Sequence, residues 1–448
     1  MALCARLADV GIWQTADVQF SLSDVAAATS GRLLFNNVDI DGISIDSRTI
    51  EPGQLFVPIV AERDGHAFLS GAAERGAAAH LTTGLTTGIP AVEVRDTAAA
   101  LSALGSAARQ RLTGEVIAIT GSVGKTTTKD LLSSVLSRVG TTHASYRSFN
   151  NELGVPLTLA NAPDDAAFVV LEMGARGTGH IADLCAVAAP TIGIVLAVGA
   201  AHTEMFGDLD GVAQAKGEMV EALGESATAV LNAGDERVLA MAARTRARVL
   251  TFGAHGEVRA DGVTVDERLR PRFTIESAWG SVAVELASSG MHTVTNALAA
   301  AAAALAVGGD LTAIAEGLSA VTVSPWRMEI SHTPAGALVI NDSYNANPMS
   351  MHAAIDSLLQ VRAKRRIAVL GVMAELGAEQ ASLHRAVGDR LAAAGVEVVA
   401  VGAPDYGAPG VDAVEEVPPV LGELDADTAV LIKGSRVAGL ERLVAMLG

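Results

Sequence analysis

The chain has 448 residues, half of them hydrophobic, a formal net charge of -18 and two cysteines, Cys4 and Cys185. Its length suits about three domains rather than one, and its acidity argues against nucleic acid or an anionic membrane as a partner. Two cysteines offer neither a disulfide framework nor a zinc site, and the first twenty residues lack the apolar stretch of a secretory signal, so a cytoplasmic protein is expected.

Residues 1 to about 21 show no clear periodicity. From Leu22 the run LSDVAAATSGRL reads as a short helix stopped at Gly31, followed by short strands up to Val60 with a turn at Pro52-Gly53. Asp64-Gly65-His66 opens a helix to Gly76, and Ala91 to Val94 is a further strand, which makes residues 1–112 a small α/β domain.

The next stretch, VIAITGSVGKTTTKDLL, starts with the β-branched run Val116, Ile117 and Ile119 and breaks at Gly121. It resumes with Leu131, Leu132, Val135, Leu136 and Val139 at helical spacing. In a strand, glycine turn and helix of this kind, backbone amides close around a phosphate and the helix start adds positive dipole. Gly121, Ser122, Val123, Gly124, Lys125, Thr126 and Thr127 are the candidate nucleotide-binding residues, with Lys125 on the terminal phosphates and Thr126 on Mg²⁺. Ile119 stands where the strict motif has glycine, and an ordinary strand-to-helix turn with an exposed lysine is the alternative.

Strands at Phe168 to Met173, Thr191 to Val198, Thr228 to Asn232 and Val249 to Phe252 alternate with helices, as in a parallel sheet covered on both faces. Between Gly256 and Gly290 the pattern turns to period two, an antiparallel insertion. The alanine run Ala297 to Val307 is too short to span a bilayer, which takes about 20 residues, so it reads as a buried helix. The central domain should cover residues 113–324. Residues 325–448 form a second doubly wound block, with strands at Ala337 to Ile340, Ile367 to Leu370, Val396 to Val401 and Ala429 to Ile432. Its helices are expected near 349–362, 381–394 and 437–447.

Several residues outside the glycine loop carry chemistry. Glu172 ends an apolar strand where open α/β sheets bind ligands, and suits Mg²⁺ opposite Thr126 or a strand-end charge reaching solvent. Lys216 falls on the core-facing arc of a helix with Val212, Met219, Val220 and Leu223, so it must snorkel, pair or be modified. His202 follows a strand and is a metal ligand or a solvated loop histidine. Asn150 and Asn151 enter a helix as caps or ligands. The polar segment from Asn341 to Pro348 could line a cleft, and Lys433-Gly434-Ser435-Arg436 either holds an anion or is a solvated loop.

Taken in order, DSRTIEPG (46–53), DGHAF (64–68), TGSVGKTTTK (120–129), FNNELGVPLTL (149–159) and LEMGARGTGHI (171–181) resemble the Mur ligases of bacterial cell-wall synthesis. AHTEMFGDLDGVAQAKGEM (201–219), AVLNAGDE (229–236), NALAAAAA (296–303), SYNANPMSM (343–351), MAELG (373–377) and LIKGSR (431–436) continue the resemblance to the C-terminus. NNELGVP, SYNANP and KGSR point to the members that join D-alanyl-D-alanine to UDP-N-acetylmuramoyl-tripeptide. The resemblance implies an α/β enzyme of three domains, a small N-terminal one, a central phosphate-loop sheet and a C-terminal Rossmann-like one. It would use ATP and two Mg²⁺ ions, with a monomer expected. By the same resemblance Ser47 and Arg48 contact the UDP part, Asn150 and Asn151 face the tripeptide, and Asn296 lies on the base side of ATP. Glu172 and His202 match metal positions, and Lys216 matches a lysine that becomes a carbamate near the second ion. Arg327, Asp342, Tyr344 and Asn345 would close the C-terminal domain over ATP.

The chain departs from that pattern at five places. The family usually has Asn where this chain has Ala197 and Thr293, Asp where it has Asn341 and Val372, and Gly where it has Trp326. A sister ligase with another substrate pair is one alternative, though no Asp-Asn-Pro-Arg segment of the diaminopimelate-adding type is present. A nucleotide-binding paralogue that has lost ligation is the other.

Overall fold

Apolar runs bounded by caps and glycine stops become an α/β fold in the structure, a computed structural model that describes residues 19–200 and 203–448. Contacts divide the described chain into two units. The first holds the residues up to Gly114 with His143–Val169 and Ala186–Ala189; the second holds Glu115–Thr142, Val170–Cys185 and Pro190–Gly448.

In the first unit Ser21 starts the helix Leu22–Thr29 with a reciprocal cap: its hydroxyl accepts from the Asp24 amide and the Asp24 carboxylate accepts from the Ser21 amide. A five-stranded sheet follows in the order Arg32–Leu34, Ala91–Glu93, Ala79–Thr82, Leu55–Phe56, Ile43–Ser44, antiparallel only at the first pair. The helix expected from Asp64 is a 3-10 turn, Gly65–Phe68, running into Leu69–Glu74. The helix Thr97–Arg111 has little large-residue periodicity, because alanine supplies much of its apolar face. Leu101 and Leu104 nevertheless anchor it in a core with Leu55, Leu81 and Val92.

The second unit contains two main sheets. One includes, side by side in this order, Arg248–Phe252, Thr228–Asn232, Ile192–Val195, Glu115–Thr120 and Phe168–Glu172; the first four of these are parallel, with Ile192 opposite Ile117 and Thr228. The period-two stretch is an antiparallel meander, Arg259–Val265, Pro271–Ser277 and Gly280–Glu285. The helix Thr293–Ala306 is buried along its alanine run from Ala297 to Ala304. The other sheet has the order Glu329–His332, Leu338–Asn341, Thr428–Lys433, Arg365–Leu370, Glu397–Val401, Gly410–Val411, parallel except at its first pair.

The expected helix over 437–447 is broken. Gly439 takes φ +64° between two 3-10 turns, Arg436–Ala438 and Leu440–Arg442, the second running into a last helical turn, Leu443–Met446. Among the described residues no helix is long and apolar enough to cross a membrane.

Candidate active site

The glycine loop lies between the strand Glu115–Thr120 and the helix Lys125–Leu136. Gly124 is required twice over: its φ is +83°, and a Cβ there would lie 2.4 Å from the Asn296 side-chain oxygen. Asn296, 172 positions further along the chain, is thereby placed against the loop. The Ser122 hydroxyl donates to the Gly199 carbonyl (3.0 Å) and accepts from the Gly199 amide (2.9 Å), while the Ser122 amide bonds the Ala197 carbonyl (2.9 Å). Val123 and Thr127 are half-buried beside it.

Lys125 donates to the Gly121 carbonyl at 2.8 Å; burial lowers the pKa of its ammonium, and the Glu172 carboxylate opposes that shift. Glu172, at the carboxyl end of Phe168–Glu172, is buried and accepts the Thr126 hydroxyl proton at 2.7 Å. The same Thr126 oxygen accepts from Arg327 Nη2 at 2.8 Å. The Arg327 guanidinium stacks 4.1 Å from the Tyr344 ring centre, and its Nε is buried without a partner. Five of the candidate residues, Lys125, Thr126, Glu172, Arg327 and Tyr344, therefore form one connected group.

Lys216 sits on the helix Leu209–Glu221 and is only 4% exposed. Burial and then the nearby Lys125 charge push its amine down to about 7. Its neighbours fix the helix. The Glu218 carboxylate accepts from the Gly179 and Ala182 amides (2.6 and 3.1 Å), bracing the start of the helix His180–Ala188. Gly217 leaves room for the Arg244 guanidinium, which donates to the Ala213 and Gln214 carbonyls (3.2 and 2.9 Å). His202 lies outside the described residues.

A bound Mg²⁺ prefers hard oxygen donors and retains positions for substrate oxygens and water. Thr126 and Glu172 supply such donors beside a cationic loop. Among the described residues there is no group of three or more His, Cys, Asp or Glu that could hold a metal ion.

Past the second sheet, the loops stitch together. Lys433 is fully buried: its ammonium pairs with the Asp342 carboxylate and donates to the Asn345 carbonyl at 2.9 Å. It is neither an anion site nor part of a solvated loop, because its charge is already matched. Asp342 also accepts from the Met328 amide (3.2 Å), and exposed Asn345 accepts from the Ala346 amide (2.9 Å). Ser435 accepts from the Ala374 amide and donates to the Ala346 carbonyl. Asn347 reaches the Ser122 carbonyl of the glycine loop at 3.3 Å.

The five departures divide by mechanism. At Ala197 and Val372 the backbone carbonyl makes a contact, to the Ser122 and Ser435 amides respectively, and the Val372 side chain packs against the core of the C-terminal sheet. Thr293 bonds back to the Gly290 carbonyl (2.6 Å), and Asn341 accepts from the Ser343 hydroxyl (2.7 Å). Trp326 takes φ +61°, a left-handed conformation that suits glycine.

In the first unit, Arg48 makes a two-point ion pair with Asp46 (2.9 and 2.6 Å) and is otherwise exposed, with half-buried Ser47 between them. The Asn151 side chain accepts from the Leu153 and Gly154 amides (3.3 and 3.0 Å), so it caps the helix Gly154–Ala160. Asn150 precedes it in the same turn.

Residues 119–304 match the Mur ligase middle domain, and residues 326–436 match the family described as Mur ligase, glutamate ligase domain. UDP-N-acetylmuramoyl-tripeptide–D-alanyl-D-alanine ligase of Mycobacterium bovis is 41% identical over 379 residues, covering 77% of this chain and 74% of that protein. The Escherichia coli protein of the same name is 34% identical, covering 96% and 98%. The chain belongs to the Mur ligase family. A crystal structure of MurF from Acinetobacter baumannii superimposes on this Mur ligase with a TM-score of 0.87 at 31% identity, covering 96% of this chain and 98% of that one. A Thermotoga maritima MurF in complex with ADP gives 0.80 at 27% identity, covering 91% and 96%.

Proposed function

We propose that this Mur ligase uses ATP to join D-alanyl-D-alanine to UDP-N-acetylmuramoyl-tripeptide, as a cytoplasmic monomer. The observation that carries the reading is the Thr126 hydroxyl held between Glu172 and Arg327 beside Lys125, in a chain 34–41% identical to relatives of that name. On this reading residues 1–112 bind the UDP substrate, 113–324 bind ATP, and 325–448 bring the ligase residues over it.

The tripeptide carboxylate attacks the γ-phosphorus of ATP, the β–γ bridge breaks to release ADP, and an acyl phosphate forms. The dipeptide amine then adds to the acyl carbon, phosphate leaves, and the amine's surplus proton passes to solvent. Lys125 and Arg327 meet the charge on the transferring phosphoryl oxygens, which is where most of the stabilisation in such transfers lies. The loop amides from Gly121 to Thr127 cradle the remaining phosphates. Asn296 takes the base side of ATP and Asp342, Tyr344 and Asn345 close over it with Arg327, while Ser47 and Arg48 take the UDP part and Asn150 and Asn151 the tripeptide. Thr126 and Glu172 would hold one Mg²⁺, and His202 with Lys216 as its carbamate a second, supplying charge neutralisation at the phosphates. An amine that titrates near 7 is substantially unprotonated at neutral pH, the form that adds CO₂.

Incubation with Mg-ATP, UDP-N-acetylmuramoyl-tripeptide and D-alanyl-D-alanine should yield a product heavier by the dipeptide less one water. Product formed with a single amino acid in place of the dipeptide, and none with the dipeptide, would replace this reading with a sister ligase. Nucleotide binding without any product would replace it with a non-catalytic paralogue.

A further inference from the structure

With Lys433 matched to Asp342, the cation left at the end of the strand Thr428–Lys433 is Arg436. Its guanidinium carbon lies over Trp326, 4.3 Å from the ring centre, and one N–H pairs with Glu441 at 2.9 Å. The side chain remains 53% exposed, and among the described residues it has no other partner. Glu441 is more enclosed, 18% exposed, and its second carboxylate oxygen is buried with no partner at all. An exposed ion pair stabilises a fold by about 1 kcal/mol at most. An arginine fixed on two sides, with a planar edge of donors left open, instead suits two-point recognition of a carboxylate.

The position also fits. Arg436 follows a central strand of the C-terminal sheet at its carboxyl end, where open α/β sheets take ligands. Its shelf, Trp326, immediately precedes Arg327, whose guanidinium bonds the Thr126 hydroxyl of the phosphate loop. The left-handed backbone at Trp326, unfavourable for a bulky residue, is held by its amide donating to Glu329 (3.2 Å) and its carbonyl accepting from the Tyr344 amide (3.2 Å).

We propose that Arg436, stacked on Trp326 and braced by Glu441, binds the terminal carboxylate of the incoming dipeptide through its open donor edge. This rests on the ligase reading above. It makes Arg436 a specificity determinant that distinguishes a dipeptide acid from its amide.

The test compares the wild-type chain, Arg436→Ala and Arg436→Lys with D-alanyl-D-alanine and with its C-terminal amide. Wild type should favour the acid by about tenfold to a hundredfold in kcat/KM, the range of a hydrogen bond to a charged group. In Arg436→Ala that ratio should fall to about one through a raised KM for the acid, with KM for ATP and for the UDP-tripeptide unchanged; Arg436→Lys should retain part of the preference. If Arg436→Ala keeps the full preference while wild type makes product, the assignment of Arg436 is overturned and the ligase reading stands. If wild type makes no product with the dipeptide, the ligase reading falls and takes this assignment with it.

Discussion

Replacing Lys216 with Met should separate stability from activity. Holding a lysine that normally titrates at 10.5 down at about 7 corresponds to about 5 kcal/mol of charging cost, at roughly 1.4 kcal/mol per pH unit. Below pH 7 both folded and unfolded chains carry the proton, so the whole cost burdens the folded state. Between about 7 and 10.5 the unfolded chain still binds the proton and the folded chain does not, so the wild type gains stability as pH rises. Methionine fills a similar volume without charge. In CO₂-depleted buffer without nucleotide, urea unfolding at pH 6.5 should therefore find Lys216→Met more stable than wild type by about 2–5 kcal/mol, since relaxation reduces the full figure. At pH 10 the gap should shrink below about 1 kcal/mol, and the variant should have no ligase activity at either pH. Equal stability at pH 6.5, or a gap that does not change with pH, would refute the buried-cation reasoning.

Lys216→Ala should likewise lose turnover and recover part of it when short carboxylic acids are added, if a carbamate is the working group; rescue by acetate, read as phosphate release, is the check. Lys433→Met should destabilise the C-terminal block by about 3 kcal/mol, because Asp342 keeps its charge in a largely enclosed place with no counter-ion. Urea unfolding measures this, and KM for ATP should rise as the 342–347 loop loosens.

What could be read from the chain was what is local. The phosphate loop, the strand-end Glu172 and the buried helical face of Lys216 are each contained in a dozen residues, where periodicity and turn chemistry suffice. The pairing of Lys433 with Asp342 spans 91 positions, and neither residue announces the other. The same holds for Gly124 against Asn296 and for Gly217 beneath Arg244, where a missing side chain makes room for a distant one. Even so, KGSR could be singled out as a strand-end segment; only the fold divides its two cations, burying Lys433 against a carboxylate and leaving Arg436 open on an indole. The helix 97–111 escaped notice because alanine buries well but marks no period, and the expected C-terminal helix failed at Gly439, whose backbone freedom outweighed the apolar spacing around it.

The most direct test of the ligase account is phosphate release from Mg-ATP by the purified protein, with UDP-N-acetylmuramoyl-tripeptide and D-alanyl-D-alanine added singly and then together. Sustained release that requires both, in step with amide product, is the result expected of an acyl phosphate captured by the dipeptide amine. Release that continues with either substrate alone, or silence with both despite measurable ATP binding, would contradict it.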